Sequence, residues 1–96
     1  ANRDNLHHWL NISHQNFAIR LNGKYPTLTG REKEICYLTA LGLPLDTVAQ
    51  LLDVQPRSIE RYISRICEKF GFIKRSKESF IDFIIAFAHN KEKHTL

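Results

Sequence analysis

The chain has 96 residues, of which 43% are hydrophobic and 25% are charged, and it carries ten aromatic side chains. This composition describes one compact globular domain and excludes a disordered chain. No apolar run approaches the roughly 20 residues that cross a bilayer, and no secretory leader opens the sequence, so we expect a cytoplasmic protein without a membrane partner. Fourteen basic residues exceed ten acidic ones, and the net charge of +4 suits a polyanionic partner without establishing one.

A first helix is predicted over residues 4 to 21, from apolar residues at a loose helical spacing: Leu6, Trp9, Leu10, Phe17 and Leu21. Asn22-Gly23 predicts its end, and Tyr25-Pro26 predicts an extended linker. We assign residues 1–26 to this helix and linker. The helix has three possible roles: a connection between domains, a contact between subunits, or a cover for the last helix.

Two short helices follow. Thr29 and Glu32 have the spacing of a capping box, which predicts a helix that runs towards Gly42. Pro44 marks the start of the next helix, which Asp53 closes. Its apolar stripe consists of Leu45, Val48, Ala49 and Leu52.

The next predicted helix, from Pro56 to about Phe70, has an apolar seam and a charged outer face. The seam contains Ile59, Ile63, Ile66 and Phe70, and the residues on or near the opposite side are Arg57, Glu60, Arg61, Ser64 and Arg65. Gly71 predicts its end. The helix that Asp53 closes and the helix from Pro56 are joined by a tight turn, and the second has a basic outer face. This arrangement meets the physical requirements of a helix-turn-helix motif that binds DNA.

A last helix is predicted from an N-cap at Ser76 to about Ala88, followed by a polar tail over residues 89–96. Its apolar arc, about 200° wide, is broader than one core requires. Either a second subunit or the first helix covers the excess. No strand-like alternation of any length occurs, so the predicted fold class is all-α.

These residues resemble the LuxR-type (GerE/NarL-like) helix-turn-helix DNA-binding domain. The resemblance covers about residues 27 to 88 and rests on motifs that follow one another with the family's spacing: Leu28-Thr29-x-Arg31-Glu32-x-Glu34-Ile35-x-x-Leu38, Gly42-Leu43, Val48-Ala49-x-Leu51-Leu52-x-Val54, Ser58-Ile59-Glu60-x-Tyr62, Ile66-x-x-Lys69-Phe70-Gly71-Phe72 and Arg75. It implies a four-helix domain at 27–88, here preceded by an extra helix, that binds double-stranded DNA as the output domain of a bacterial transcription regulator. It also implies a homodimer, at least on DNA. It further implies an upstream sensory domain, and the start of the sequence at Ala1 instead of Met agrees with this expectation.

The resemblance places helix 56–70 in the major groove, with Glu60, Arg61 and Ser64 at groove-facing positions and Arg65 beside them. An arginine can bind guanine with two hydrogen bonds, and Glu60 can accept one from cytosine. For the phosphate backbone, we expect contacts from the start of the preceding helix and from hydroxyl and basic side chains: Pro44, Leu45, Asp46, Thr47, Arg57, Ser58, Lys69, Lys74, Arg75 and Lys77. The implied dimer contact is through the last helix at Phe80, Phe83, Ile84 and Phe87.

The sequence also departs from the family. Tyr62 stands where members often have His, Ser64 where some have Lys, and Gln55-Pro56-Arg57 replaces a turn that more often carries Ser or Thr. These differences leave the operator sequence beyond prediction. An alternative function is a protein-interaction module that has kept the scaffold but lost DNA binding, because Glu60, Glu68 and Ser64 dilute the positive face.

Signals for other chemistry are weak. His7, His8 and His14 lack the spacing of metal ligands, and Cys36 and Cys67 form no C-x-x-C pair, so we expect no metal site and two buried thiols. No phosphate loop or catalytic motif occurs. We therefore expect no cofactor and no enzymatic activity.

Overall fold

The computed structural model describes residues 17–88, which form five helices. They are α1 (Phe17–Lys24), α2 (Gly30–Ala40), α3 (Leu45–Leu52), α4 (Pro56–Phe70) and α5 (Lys77–Ala88). No strand occurs among these residues. The all-α fold, with a four-helix domain preceded by an additional helix, is confirmed. In the described part of the chain, no helix has the length and apolarity needed to cross a membrane.

The capping box that the sequence predicts at the start of α2 is present. The backbone N–H of Glu32 donates to Oγ1 of Thr29 at 3.2 Å, and the backbone N–H of Thr29 donates to Oε1 of Glu32 at 2.9 Å. These two bonds satisfy N–H groups that a helix start otherwise leaves without partners. At the other end, Gly42 has a φ of 91°, a conformation that glycine adopts without steric cost.

The turn between α3 and α4 depends on one left-handed residue. Asp53 has φ 59° and ψ 47°, and the backbone N–H of Val54 donates to the carbonyl of Ala49 at 3.0 Å. Asp tolerates this backbone conformation better than most residues, so the chain turns sharply without a glycine. Pro56 then begins α4 as predicted, whereas Pro44 is the N-cap of α3 and lies just outside its first turn.

The predicted end of the first helix is wrong, because α1 continues through Asn22-Gly23 to Lys24. The backbone N–H of Tyr25 still donates to the carbonyl of Leu21 at 2.8 Å. Pro26 has no N–H to extend this pattern and disfavours helical backbone at the residue before it, so the helix ends there. The predicted residues Leu6, Trp9 and Leu10 lie outside the described part.

One hydrophobic core joins all five helices. The predicted seam of α4 is buried at Ile59, Ile63 and Ile66, and Phe70 packs at its edge. The other fully buried side chains include Phe17 and Leu21 of α1, Ile35 of α2, Val48 of α3, and Phe80 and Ile84 of α5. Burial of the α4 seam fixes the helix rotation, so its charged side faces outward.

Helix α1 and Tyr25, which follows it, cover part of the apolar arc of α5. The ring of Phe17 meets the ring of Phe87 edge to face at 5.8 Å between centroids, and Tyr25 lies 6.2 Å from Phe83. The guanidinium of Arg20 donates to the carbonyls of Phe87 at 3.0 Å and Ala88 at 3.2 Å. The first helix, one of the two predicted covers, therefore packs on this arc within one chain and leaves Phe83 and Phe87 half-exposed.

Candidate nucleic-acid interface

The helices α3 and α4 form the centre of the candidate site. The guanidinium of Arg31 donates to the carbonyl of Leu52 at 2.9 Å, which satisfies a free carbonyl at the end of α3 and ties that end to α2. With α3 held in this way and the α4 seam buried, the candidate site presents the exposed side of a single helix. That shape suits insertion into a groove.

A row of three arginines runs along this outer face. Arg57, Arg61 and Arg65 are exposed and follow one another at intervals of four residues, so the row spans about 12 Å of helix. None of the three has an ion pair within residues 17–88. Their positive charge is therefore open to an anionic partner.

The two carboxylates of the same face are paired with cations from the segment that follows α4. Oε2 of Glu60 lies 3.7 Å from Nζ of Lys77, and Oε2 of Glu68 lies 4.0 Å from a terminal nitrogen of Arg75. Both pairs are exposed and contribute little to stability. The two cations do, however, offset the negative charges of Glu60 and Glu68, which the sequence suggested would weaken the positive potential of this face.

The start of α3 and the start of α5 meet beside α4. Pro44, Leu45 and Asp46 line a cleft of 330 Å³ together with Lys77 of α5. Because Lys77 also contacts Glu60, the predicted phosphate contacts at the start of α3 lie on the same flank of α4 as Glu60. Thr47 is half-buried in the first turn of α3, and Lys74 is exposed in the loop before α5.

A small notch lies on the side of α4 away from Glu60. Its volume is 110 Å³, and it is lined by Ser58, Arg61, Tyr62 and Arg65. Tyr62 belongs to the motif Ser58-Ile59-Glu60-x-Tyr62 and stands where family members often have His, but it was not among the predicted site residues. Its spacing of four residues from Ser58 and three from Arg65 was the available signal, since such residues are neighbours on a helix surface.

Lys69 requires a correction, because its ammonium is engaged inside the domain. Nζ donates to Oε1 of Glu32 at 2.7 Å and to the carbonyl of Thr27 at 2.9 Å. On α4, Lys69 lies about 80° from Arg61, towards the edge that packs on the start of α2. Its contacts therefore stabilise the domain, and we no longer assign it to phosphate.

The predicted dimer residues fall into two groups. Phe80 and Ile84 have no exposed surface, because both side chains are in the core. A folded domain cannot offer them to a second subunit, and we withdraw both from the predicted interface. Phe83 and Phe87 are half-buried, and their rings contact each other in a stacked arrangement at 5.9 Å.

Neither cysteine belongs to the candidate site. Cys36 and Cys67 are free and fully buried, and burial raises the pKa of both thiols. A thiol held in its protonated form is a poor nucleophile and a poor metal ligand. No group of side chains suited to a metal occurs among residues 17–88, and the three N-terminal histidines lie outside that range.

A family model matches the part of the chain that contains the candidate site. The model described as GerE, "Bacterial regulatory proteins, luxR family", matches residues 26–78, which is more than half of the chain. The matched residues contain α2, α3, α4 and the start of α5. No curated protein and no solved structure matches the chain.

Proposed function

Because the chain belongs to the luxR family of bacterial regulatory proteins, whose domains are DNA-binding regulators of transcription and not enzymes, we propose that it binds double-stranded DNA with sequence preference through α4. The observation that carries this proposal is the row of Arg57, Arg61 and Arg65, exposed and without ion pairs in the described structure, beside two carboxylates that are already paired. A positive helix face of this kind suits the major groove, which admits one α-helix.

The base-reading residues in this proposal are Glu60, Arg61, Ser64 and Arg65. Arg61 is central, because it lies opposite the buried seam of α4. Its guanidinium can donate to O6 and N7 of guanine, which discriminates against other bases by about 1–3 kcal/mol. Glu60 lies about 100° to one side and can accept a hydrogen bond from the amino group of cytosine.

Phosphate contacts would come from the flank of α4 that carries Lys77. The first turn of α3 has no side-chain cap at Pro44, so backbone N–H groups near Asp46 and Thr47 can donate to a phosphate oxygen. Lys77 adds positive charge on this flank, Lys74 and Arg75 add it from the loop before α5, and Arg57 and Ser58 contribute from the first turn of α4. Contacts of this kind supply affinity and salt dependence more than sequence preference.

We also propose that two copies bind adjacent half-sites as the output domain of a larger regulator with an upstream sensory domain. A contact between copies through α5 would use Phe83 and Phe87, since Phe80 and Ile84 are buried. Both rings pack partly against Phe17 or Tyr25, and a second copy would contact the surface that remains exposed.

The experiment that tests the function measures fluorescence anisotropy of duplex DNA over a salt series. The wild-type chain first selects preferred duplexes from a random pool, and these are then compared with scrambled duplexes. Arg61→Ala should lose most of the preference for the selected duplexes. Lys24→Ala, which removes one exposed positive charge at the end of α1, should retain it.

Binding that weakens steeply with salt supports DNA as the partner, because each neutralised phosphate releases counterions. If the wild type does not bind DNA at low salt, the proposal fails, and the alternative of a protein-interaction module on the same scaffold takes its place. If Arg61→Ala retains full preference, the proposed recognition face is wrong.

A further inference from the structure

The two flanks of α4 have different chemistry. Taking Arg61 as the centre of the outer face, Ser64 and Glu60 lie about 60° and 100° to one side, and Ser58 and Tyr62 lie at the same angles to the other. The Glu60 flank carries Lys77 and the start of α3. The Tyr62 flank carries the 110 Å³ notch lined by Ser58, Arg61, Tyr62 and Arg65.

A helix in the major groove faces a sugar-phosphate backbone on each side, since the groove is about 12 Å wide and a helix with its side chains fills it. Among the residues expected to contact phosphate, the structure brings Lys77 and the start of α3 together on the Glu60 flank. The opposite backbone would also face the protein, and on that side α4 presents the notch.

The lining of the notch matches one phosphate group. The four residues that line it carry two guanidinium groups and two hydroxyls, and none of them carries a carboxylate. Guanidinium and hydroxyl groups are strong donors to phosphate oxygens, and a guanidinium can bind two of these oxygens at once. Neither arginine has an ion pair within residues 17–88 that would compete for the phosphate.

Local geometry restricts the notch as well. Ser58 and Tyr62 are half-buried, and Tyr62 packs against the hydrophobic core, which limits the motion of its ring. The four residues follow one another at helical intervals of three, one and three, so a single rigid helix places them all. Donors that are ordered before binding lose less entropy when the phosphate arrives.

We propose that this notch binds one phosphodiester group of the DNA backbone, on the strand opposite the one that faces Lys77. Arg65, Ser58 and Tyr62 hold the phosphate, and Arg61 forms the rim nearest the bases, where it remains available to guanine. This inference rests on the proposed DNA-binding function and refines it, because Arg65 moves from base reading to backbone binding and Tyr62 becomes a binding residue.

The test compares Arg65→Met and Tyr62→Phe on the selected and scrambled duplexes of the anisotropy assay. Arg65→Met should weaken binding to both duplexes by the same factor and reduce the salt slope by about 0.9, the value for one phosphate. Tyr62→Phe should weaken both about tenfold, as expected for the loss of one hydrogen bond to a charged group. Thermal unfolding of each variant checks that the domain is intact.

A double-mutant cycle makes the test specific to the notch. Arg65→Met and Tyr62→Phe should be non-additive, because both side chains bind the same phosphate and the loss of one changes how the other holds it. The matched control combines Tyr62→Phe with Arg57→Met, which lies in the same arginine row outside the notch, and these effects should add.

If the wild type binds DNA but both notch variants bind like it, the notch proposal is wrong and the DNA-binding function stands. Loss of affinity for the selected duplex alone would make Arg65 a base reader and overturn the proposal. Saturable binding of inorganic phosphate at constant ionic strength, as tight as DNA binding and absent in Arg65→Met, would assign the notch to a free anion and would also overturn it. Absence of DNA binding by the wild type contradicts the proposed function itself.

Discussion

The ammonium of Lys69, near the end of α4, lies 2.7 Å from Oε1 of Glu32, in the first turn of α2. The Glu32 side chain is only 3% exposed, and the same oxygen accepts the backbone N–H of Thr29. Removing one member of such a pair leaves the other charge in a poorly solvated place. This contact connects the α2 cap to α4, although the two residues are 37 positions apart in sequence.

We expect Lys69→Met to destabilise the domain by about 1–3 kcal/mol, the cost of leaving a buried polar group without its partner. The salt slope of DNA binding should change little, because the ammonium is engaged internally. Urea unfolding and the anisotropy assay measure the two effects. Lys74→Met is the control, since this exposed side chain has no ion pair in the described structure, and it should leave stability unchanged while lowering the slope.

Glu60→Gln should increase affinity for scrambled DNA several-fold and reduce the preference for selected duplexes. The change removes a negative charge from the groove face and releases Lys77, 3.7 Å away, for phosphate. Asp82→Asn removes the same charge from the exposed side of α5 and serves as the control. Equal effects of the two substitutions would show that only net charge matters and that Glu60 reads no base.

Phe17→Ala should reduce the free energy of unfolding by about 3–5 kcal/mol, because a fully buried ring in contact with Tyr37 and Phe87 is removed. Ile19→Ala, on the same helix but 63% exposed, should change it by less than about 0.5 kcal/mol. Urea unfolding distinguishes them. Similar, small losses for both would show that α1 is not part of the folded core. Sedimentation of Phe17→Ala should also reveal greater self-association, since Phe87 loses part of its cover.

Thr39 offers a stabilising substitution. Its side chain is buried, and within the described residues its hydroxyl has no hydrogen-bond partner. Thr39→Val keeps the shape and removes the unsatisfied group, so we expect a gain of about 1 kcal/mol in thermal or urea unfolding. Thr39→Ser keeps the hydroxyl, loses a methyl group and should be less stable than the wild type. A less stable Thr39→Val would indicate a partner for the hydroxyl.

Much of the local structure could be predicted because it depends on neighbours in sequence. The capping box of Thr29 and Glu32, the sharp turn at Asp53 and the start of α4 at Pro56 each need only a few adjacent residues. The end of α1 could not be placed in the same way. Asn22-Gly23 is a weak stop signal, and the helix continued until Pro26 removed the next N–H donor.

The candidate site also depends in part on local sequence and in part on how the helices pack. The sequence by itself determined the arginine row of α4, because intervals of four residues place side chains on one face of any helix and the isoleucine seam decides which face is buried. Only the tertiary structure decided which charges remain open to a partner. It engaged Lys69 with Glu32, paired Glu60 with Lys77, and placed Phe17 of α1 against Phe87 and Tyr25 against Phe83. These contacts join residues far apart in the chain. The packing of the helices around the common core decides which residues meet, so no local sequence pattern predicts these pairs.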